Sequence, residues 1–174
     1  MGKNAQHQKT VRGASNPLRE FSSGGVVYKD NGGKWLVRAT APSNLFPKVY
    51  WMLPKGWIDD EAPGVPGPMA SGRVKADENS LRQTALREVE EEGGIEAKII
   101  RKIGTEKSFF KHPERGRILK FVTFYLMEYV RDLPGGFDGE TSEVAWLSFD
   151  EALRRLSFDG EKRMLKKAGE ILQI

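Results

Sequence analysis

The stretch from Leu81 to Ile95 constrains this chain more than any other, because it combines a helix, a crowded acidic arc and a forced stop. Leu81 to Leu86 consists of good helix formers without proline or glycine. At about 100° per residue, Ala85, Leu86 and Val89 fall on one arc of that helix. Glu88, Glu91 and Glu92 fall on the neighbouring arc, at spacings of i, i+3 and i+4. Like charges so spaced disfavour an isolated helix by a few tenths of a kcal/mol per pair. A solvated acidic face is the plain reading. A hard divalent cation over the arc would turn the repulsion into an asset, since such ions take carboxylate oxygens together with substrate phosphates. Gly93-Gly94 then ends the helix, glycine being the residue that accepts a left-handed cap.

The rest of the chain supplies a setting for that helix. With 174 residues and 39% hydrophobic content, one domain with a real core is expected over 20–174. The absence of cysteine excludes a disulfide framework and a thiolate metal site, and it fits a reducing, cytoplasmic setting. No secretory leader and no run of about 18 apolar residues is present, so no membrane partner is expected. The net charge of +4 belongs to the first 19 residues, which hold Lys3, Lys9, Arg12 and Arg19 and no acid. Without those four, 24 basic residues face 24 acidic ones. Residues 1–19 therefore read as a disordered basic tail, and the body gives no reason to expect a specific nucleic-acid partner.

Strands are expected at Phe21–Tyr28 and Lys34–Thr40, joined by Asp30-Asn31-Gly32-Gly33, and at Val49–Leu53, where Pro54-Lys55-Gly56 stops the ladder. Gly24-Gly25 inside the first strand signals close approach of another backbone or a ligand. The Pro- and Gly-rich run from 59 to 77 fits no regular element and reads as a surface decoration or a lid. Asn79 or Ser80 is the expected N-cap of the acidic helix. A long strand from Ala97 to Lys111, interrupted at Gly104, turns at His112–Gly116 into a strand over Ile118–Val130. A short strand over Glu143–Phe149 precedes two helices capped by Asp150 and Asp159. Strands with a central helix and terminal helices imply an α/β sandwich.

A strand ending at Pro54-Lys55-Gly56, then a loop, then Arg87-Glu88-Val89-x-Glu91-Glu92-x-Gly94-Ile95 resembles the Nudix hydrolase family. The Ser-Gly-Gly-Val-Val strand, Trp51-x-Leu-Pro-Lys-Gly and Glu143-x-x-Trp-x-Ser-x-x-Glu151-Ala extend the resemblance over most of the chain. One departure stands out. Asn79 occupies the place of the box's first Glu, 23 residues after Gly56 instead of six, so the loop at about 58–77 is enlarged. Glu78 lies beside it.

The resemblance implies an α/β/α sandwich with a mixed sheet and Mg²⁺- or Mn²⁺-dependent hydrolysis of a phosphoanhydride in a small-molecule substrate. It makes Glu91, Glu92 and Glu88 the expected metal ligands, with the backbone carbonyl of Lys55 facing the metal. Arg87 is expected to hold Glu91, and Glu143 or Glu140 to serve as a late acid or general base. Lys111, Arg115, Arg117 and Lys120 on the hairpin, with Phe109 or Phe110 stacking on a base, are expected substrate contacts. His112 reads as an exposed turn residue and Trp51 as core. The chain looks most like the branch acting on diadenosine or diphosphoinositol polyphosphates. A nucleoside-triphosphate pyrophosphohydrolase is the second reading, and a non-catalytic nucleotide- or RNA-binding module is the reading from another class.

Overall fold

A computed structural model describes residues 16–174. Most of the tail expectation lies outside them. Its end does not: strand β1 covers Leu18–Lys29, three residues earlier than expected, because Leu18 to Phe21 already pair in parallel with Ile118 to Phe121.

After β1, a 3₁₀ turn with Asp30 and Asn31 at positive φ leads into β2 (Lys34–Thr40). The two strands pair only at Tyr28–Trp35 and Lys29–Lys34 and then part. The segment from 51 to 57 fills the gap as a wedge. Its first half, β3 (Trp51–Met52), pairs with β2. Its second, β4 (Lys55–Trp57), pairs with β1 through Gly24–Lys55, Ser23–Gly56 and Ser22–Trp57. The Pro-Lys-Gly turn thus continues the sheet instead of ending it. The glycine pair explains how: a Cβ on Gly24 would strike the Pro54 carbonyl and Lys55, and one on Gly25 would strike Val89 and Met127. Gly25 N donates to Pro54 O at 3.0 Å.

The 59–77 run contains a hairpin, β5 (Asp60–Ala62) with β6 (Val65–Pro66), contrary to expectation. Asp59 organises the rest by accepting from Ala70 N (2.7 Å) and Met69 N (3.1 Å). Ala70 is buried, and its carbonyl accepts from Phe21 N. Helix α1 (Glu78–Gly93) is capped by Asp77, not by Asn79 or Ser80: Asp77 is extended and accepts from Ser80 N at 2.7 Å. Gly94 closes the helix at φ +68°.

The long hairpin of β7 (Ile95–His112) and β8 (Gly116–Asp132) is antiparallel, with bulges near 97, 100 and 103 that keep β7 continuous past Gly104. Strand β9 (Thr141–Leu147) pairs with β2. Helix α2 (Phe149–Arg155) is capped by Ser148 in a reciprocal box with Glu151, so Asp150 lies in its first turn. Helix α3 (Asp159–Leu172) begins after Phe158, and Asp159 is likewise inside it.

The mixed sheet has α1 on one face and α2 with α3 on the other, which is the expected α/β/α sandwich. Period-two alternation sorts the core. Val26, Tyr28, Trp35, Val122, Phe124 and Leu126 meet Leu156, Met164, Leu165 and Ala168 from the terminal helices. Val27, Leu36, Tyr125 and Met127 meet Ala85 and Val89 of α1. Among the described residues no helix is long and apolar enough to cross a membrane.

Candidate active site

The wedge and helix α1 bring the acidic arc against the Lys55–Trp57 strand. Val89 packs into the α1-side core, which fixes the rotation of the helix and turns Glu88 and Glu92 inward. Glu88 is 8% exposed and Glu92 4%. The Glu88 carboxylate occupies the space that a Gly56 side chain would need, so this position demands glycine. Glu91 differs from its neighbours. Its side chain is about half exposed, and Arg87 Nε approaches it at 3.8 Å. Arg87 makes its closer contacts elsewhere, donating from Nη2 to Glu88 Oε1 and to Trp57 O, both at 3.0 Å.

Each buried carboxylate has its own counter-charge. Arg38 of β2, itself buried, grips Glu92 with two contacts of 2.8 Å, Nε to Oε2 and Nη2 to Oε1. Lys55 N donates to the same Glu92 Oε2 at 3.2 Å. Burial pushes the Glu92 carboxyl up, and Arg38 opposes that rise. Glu88 is pushed up to about 7, first by burial and then by the charge of Glu92, with Arg87 only partly compensating. Among the described residues no three His, Cys, Asp or Glu side chains converge as a ready metal cluster. The donor set nevertheless fits a hard cation. Two desolvated carboxylates repel one another across the Gly56 turn, and a divalent ion between them would relieve that cost.

On the other sheet face, the same wedge presents Lys55. Its ammonium pairs with buried Glu161 of α3, whose second oxygen accepts from Leu53 N at 3.2 Å. Lys120 sits beside this pair, opposite Glu20 in the parallel β1–β8 register. Its ammonium is pushed down to about 8, by burial and then by the Lys55 charge, against the pull of Glu20, Glu161 and Glu92. Arg115 pairs with buried Glu20 and lies over the Trp57 ring at 5.4 Å. Lys55, Lys120 and Arg115, interleaved with Glu161 and Glu20, therefore make a mixed-charge strip on the α3 side of the sheet.

The hairpin's other predicted contacts lie apart from that strip. Phe109 pairs with Leu119 and Lys111 with Arg117, out of phase with Lys120, so alternation sends them to the opposite face. There Arg117 lies over the exposed Phe109 ring at 5.2 Å. Phe110 is the half-buried ring on the Lys120 side. His112 is edge-on to Phe46 at 5.5 Å. Half-buried Trp51 packs against the α3-side core with Arg155 4.7 Å above it. Glu143 is exposed opposite Ala39, Glu140 is exposed as well, and no hydrogen bond joins either to Glu88 or Glu92. The late loop and the start of β9 reach the helix's backbone instead, with Asp138 N donating to Glu91 O and the Thr141 hydroxyl Oγ1 to Glu92 O. Arg38 and Glu161 escape a reading by motif. Arg38 sits in an ordinary strand run, and Glu161 looks like a first-turn helix acid.

Comparison with known proteins agrees with this geometry. The NUDIX domain model matches residues 19–168. A curated relative, "Putative mutator protein MutT4" of Mycobacterium tuberculosis, is 29% identical over 158 residues, 89% of this chain. The chain spans 56% of that relative's length. A NUDIX hydrolase from Nitrosomonas europaea superposes with a TM-score of 0.60 at 17% identity, covering 89% of this chain and 90% of its own. The MutT protein from Methanosarcina mazei Go1 gives 0.63 at 15%, covering 92% and 100%. A Caenorhabditis elegans Ap4A hydrolase gives 0.58 at 18%, covering 88% and 98%. At such identities the structures speak for the fold, while the family match extends over most of the chain and takes in the acidic helix, the wedge and the hairpin. This chain belongs to the NUDIX domain family.

Proposed function

We propose that this chain hydrolyses a phosphoanhydride bond in a nucleoside diphosphate linked to another moiety, with a dinucleoside or diphosphoinositol polyphosphate as the favoured substrate. The observation that carries the reading is the placement of charge about one turn, Pro54-Lys55-Gly56. The buried pair Glu88 and Glu92 stands on one side of it, and the Lys55 ammonium with Lys120 on the other. Glu88, Glu92 and the Lys55 carbonyl would hold Mg²⁺ or Mn²⁺, with Glu91 reaching in from the exposed edge. Such an ion, when bound, would supply charge neutralisation of the diphosphate and a lowered pKa for an attacking water. Arg38 holds Glu92 in place. Arg87 orients Glu88 against the Gly56 turn, where its free oxygen can direct that water. This reading gives Glu88 the part that the resemblance would give to Glu143 or Glu140, both exposed.

Lys120 supports a phosphate-rich substrate, because its neighbours Lys55 and Arg115 are already paired with Glu161 and Glu20 while it lies close enough to Glu92 to feel that charge. The fold does not choose the substrate, since an Ap4A hydrolase and a UDP-X diphosphatase both share it. A nucleoside-triphosphate pyrophosphohydrolase is the second reading. A screen of dinucleoside polyphosphates, nucleotide sugars, nucleoside triphosphates and inositol pyrophosphates separates them. Preference for the polyphosphates that falls in K120Q supports the first reading. Preference for triphosphates supports the second, and no divalent-dependent turnover of any class overturns both.

A further inference from the structure

Glu161 lies 106 residues from Lys55 in sequence and belongs to no motif, yet both of its carboxylate oxygens are committed to the β3–β4 turn. One pairs with the Lys55 ammonium, and the other accepts from Leu53 N at 3.2 Å. The turn is held from the opposite side as well. Glu92 of α1 accepts from Lys55 N at 3.2 Å, and Pro54 O accepts from Gly25 N at 3.0 Å. Residues 53–55 are therefore suspended between a carboxylate from each helical layer, with β1 as the fixed edge.

Packing alone does not require this arrangement. The start of α3 already has an anchor in Arg163, which pairs with Glu106 of β7 at 2.5 Å, beside Gly160 packed against the same Glu106 side chain. Burying Glu161 at 4% exposure carries a desolvation cost that its ion pair only offsets. What the Glu161 contacts fix is the path of the backbone from Leu53 to Lys55, and so the direction in which Lys55 presents its peptide beside Glu92.

We infer that Glu161 is a positioning residue, holding the Leu53–Lys55 backbone from the α3 side so that Lys55 and Glu92 keep the geometry needed for divalent-ion binding. The inference rests on the proposed reading of the acidic pair as the metal site. It makes α3 part of the reaction machinery, without Glu161 touching the reacting atoms.

The test compares E161Q, E161D and R163A in the full chain. R163A removes the other anchor of α3 and leaves the turn alone. In metal-free protein, hydrogen exchange at the Leu53 and Lys55 amides should quicken in E161Q and remain unchanged in R163A. The Mn²⁺ dissociation constant, read by calorimetry, should rise roughly tenfold or more in E161Q, the range seen when a residue supporting a metal ligand is lost. With a turned-over substrate, kcat should fall by a similar factor while KM shifts by less than about threefold. E161D, which keeps the charge, should recover part of each loss. Unchanged exchange and Mn²⁺ affinity in E161Q, with only the melting temperature lowered, overturn the inference. Equal losses in R163A overturn it too. If wild-type protein turns over no diphosphate, the proposed function fails, and the Mn²⁺ and exchange measurements still decide the role of Glu161.

Discussion

Glu88 is buried beside a second carboxylate with only a partial counter-charge, and its carboxyl is raised to about 7. In the unfolded chain it would titrate near 4.5. Between those values the folded state binds more protons than the unfolded one, so stability falls as pH rises from about 4.5 through 7 and levels off above. Metal-free protein should therefore melt at a lower temperature at about pH 8 than at about pH 5.5. E88Q should flatten that slope, which thermal melts across pH would show. Arg38 acts in the other direction. R38M leaves Glu92 buried without its ion-pair partner, at a cost of up to about 3–5 kcal/mol in denaturant unfolding. The double variant R38M/E92M should recover most of the loss, because an apolar pair of similar size replaces both charges.

At the scale of elements, the wedge, the caps and the enlarged loop decide how well the site is held. Gly94 ends α1 at φ +68°, and a Cβ there would meet the backbone of Gly136 and Phe137. G94A should cost at least about 1 kcal/mol from the backbone conformation alone, with the clash added. The loop hangs on Asp59. D59A strands the Met69 and Ala70 amides, at about 1–3 kcal/mol for a buried donor left unpaired, and limited proteolysis should then cut within residues 60–72. These elements differ in how far they can be read from sequence. Strand β2 is legible to the residue because its apolar run is bounded by a local glycine turn and a polar exit. The double-glycine stop of α1 is legible for a similar reason. The wedge is not, because its pairing joins residues as distant as Ser22 and Trp57 and a proline masks the strand. The Asp77 cap is missed because Asn79 and Ser80 are equally good capping residues, and only backbone geometry chooses. Of the candidate site, the common arc of Glu88, Glu91 and Glu92 and the i,i+4 relation of Arg87 to Glu91 are given by spacing. The inward turn of Glu88 and Glu92 away from Glu91, and the partners Arg38 and Glu161, depend on tertiary packing that no local pattern encodes.

For the whole molecule, the proposed metal site is a tie between layers. Glu88 and Glu92 come from α1, Lys55 from the sheet, and Glu161 from α3. A ligand that binds only this assembled state stabilises all of it, by about 2.7 kcal/mol at a hundredfold excess over the dissociation constant. Mg²⁺ should raise the melting temperature of wild-type protein as a single cooperative transition. E88Q and E92Q should abolish that rise, and a rise retained in both would show that the ion binds elsewhere.

The long strand β7 closes one side of the sheet, with Ile95–His112 paired, among the described residues, to β8 alone. Its outer row of amides and carbonyls is a template on which another copy could add a strand. Lys98, Arg101, Lys102, Lys107 and Lys111 along it, together with its bulges, guard against that outcome by charge and by bending the edge. The basic hairpin thus has a colloidal role whatever it contributes to substrate binding. Neutralising those lysines, for example by exhaustive acetylation, should promote self-association at concentrations where the untreated protein stays monodisperse in light scattering.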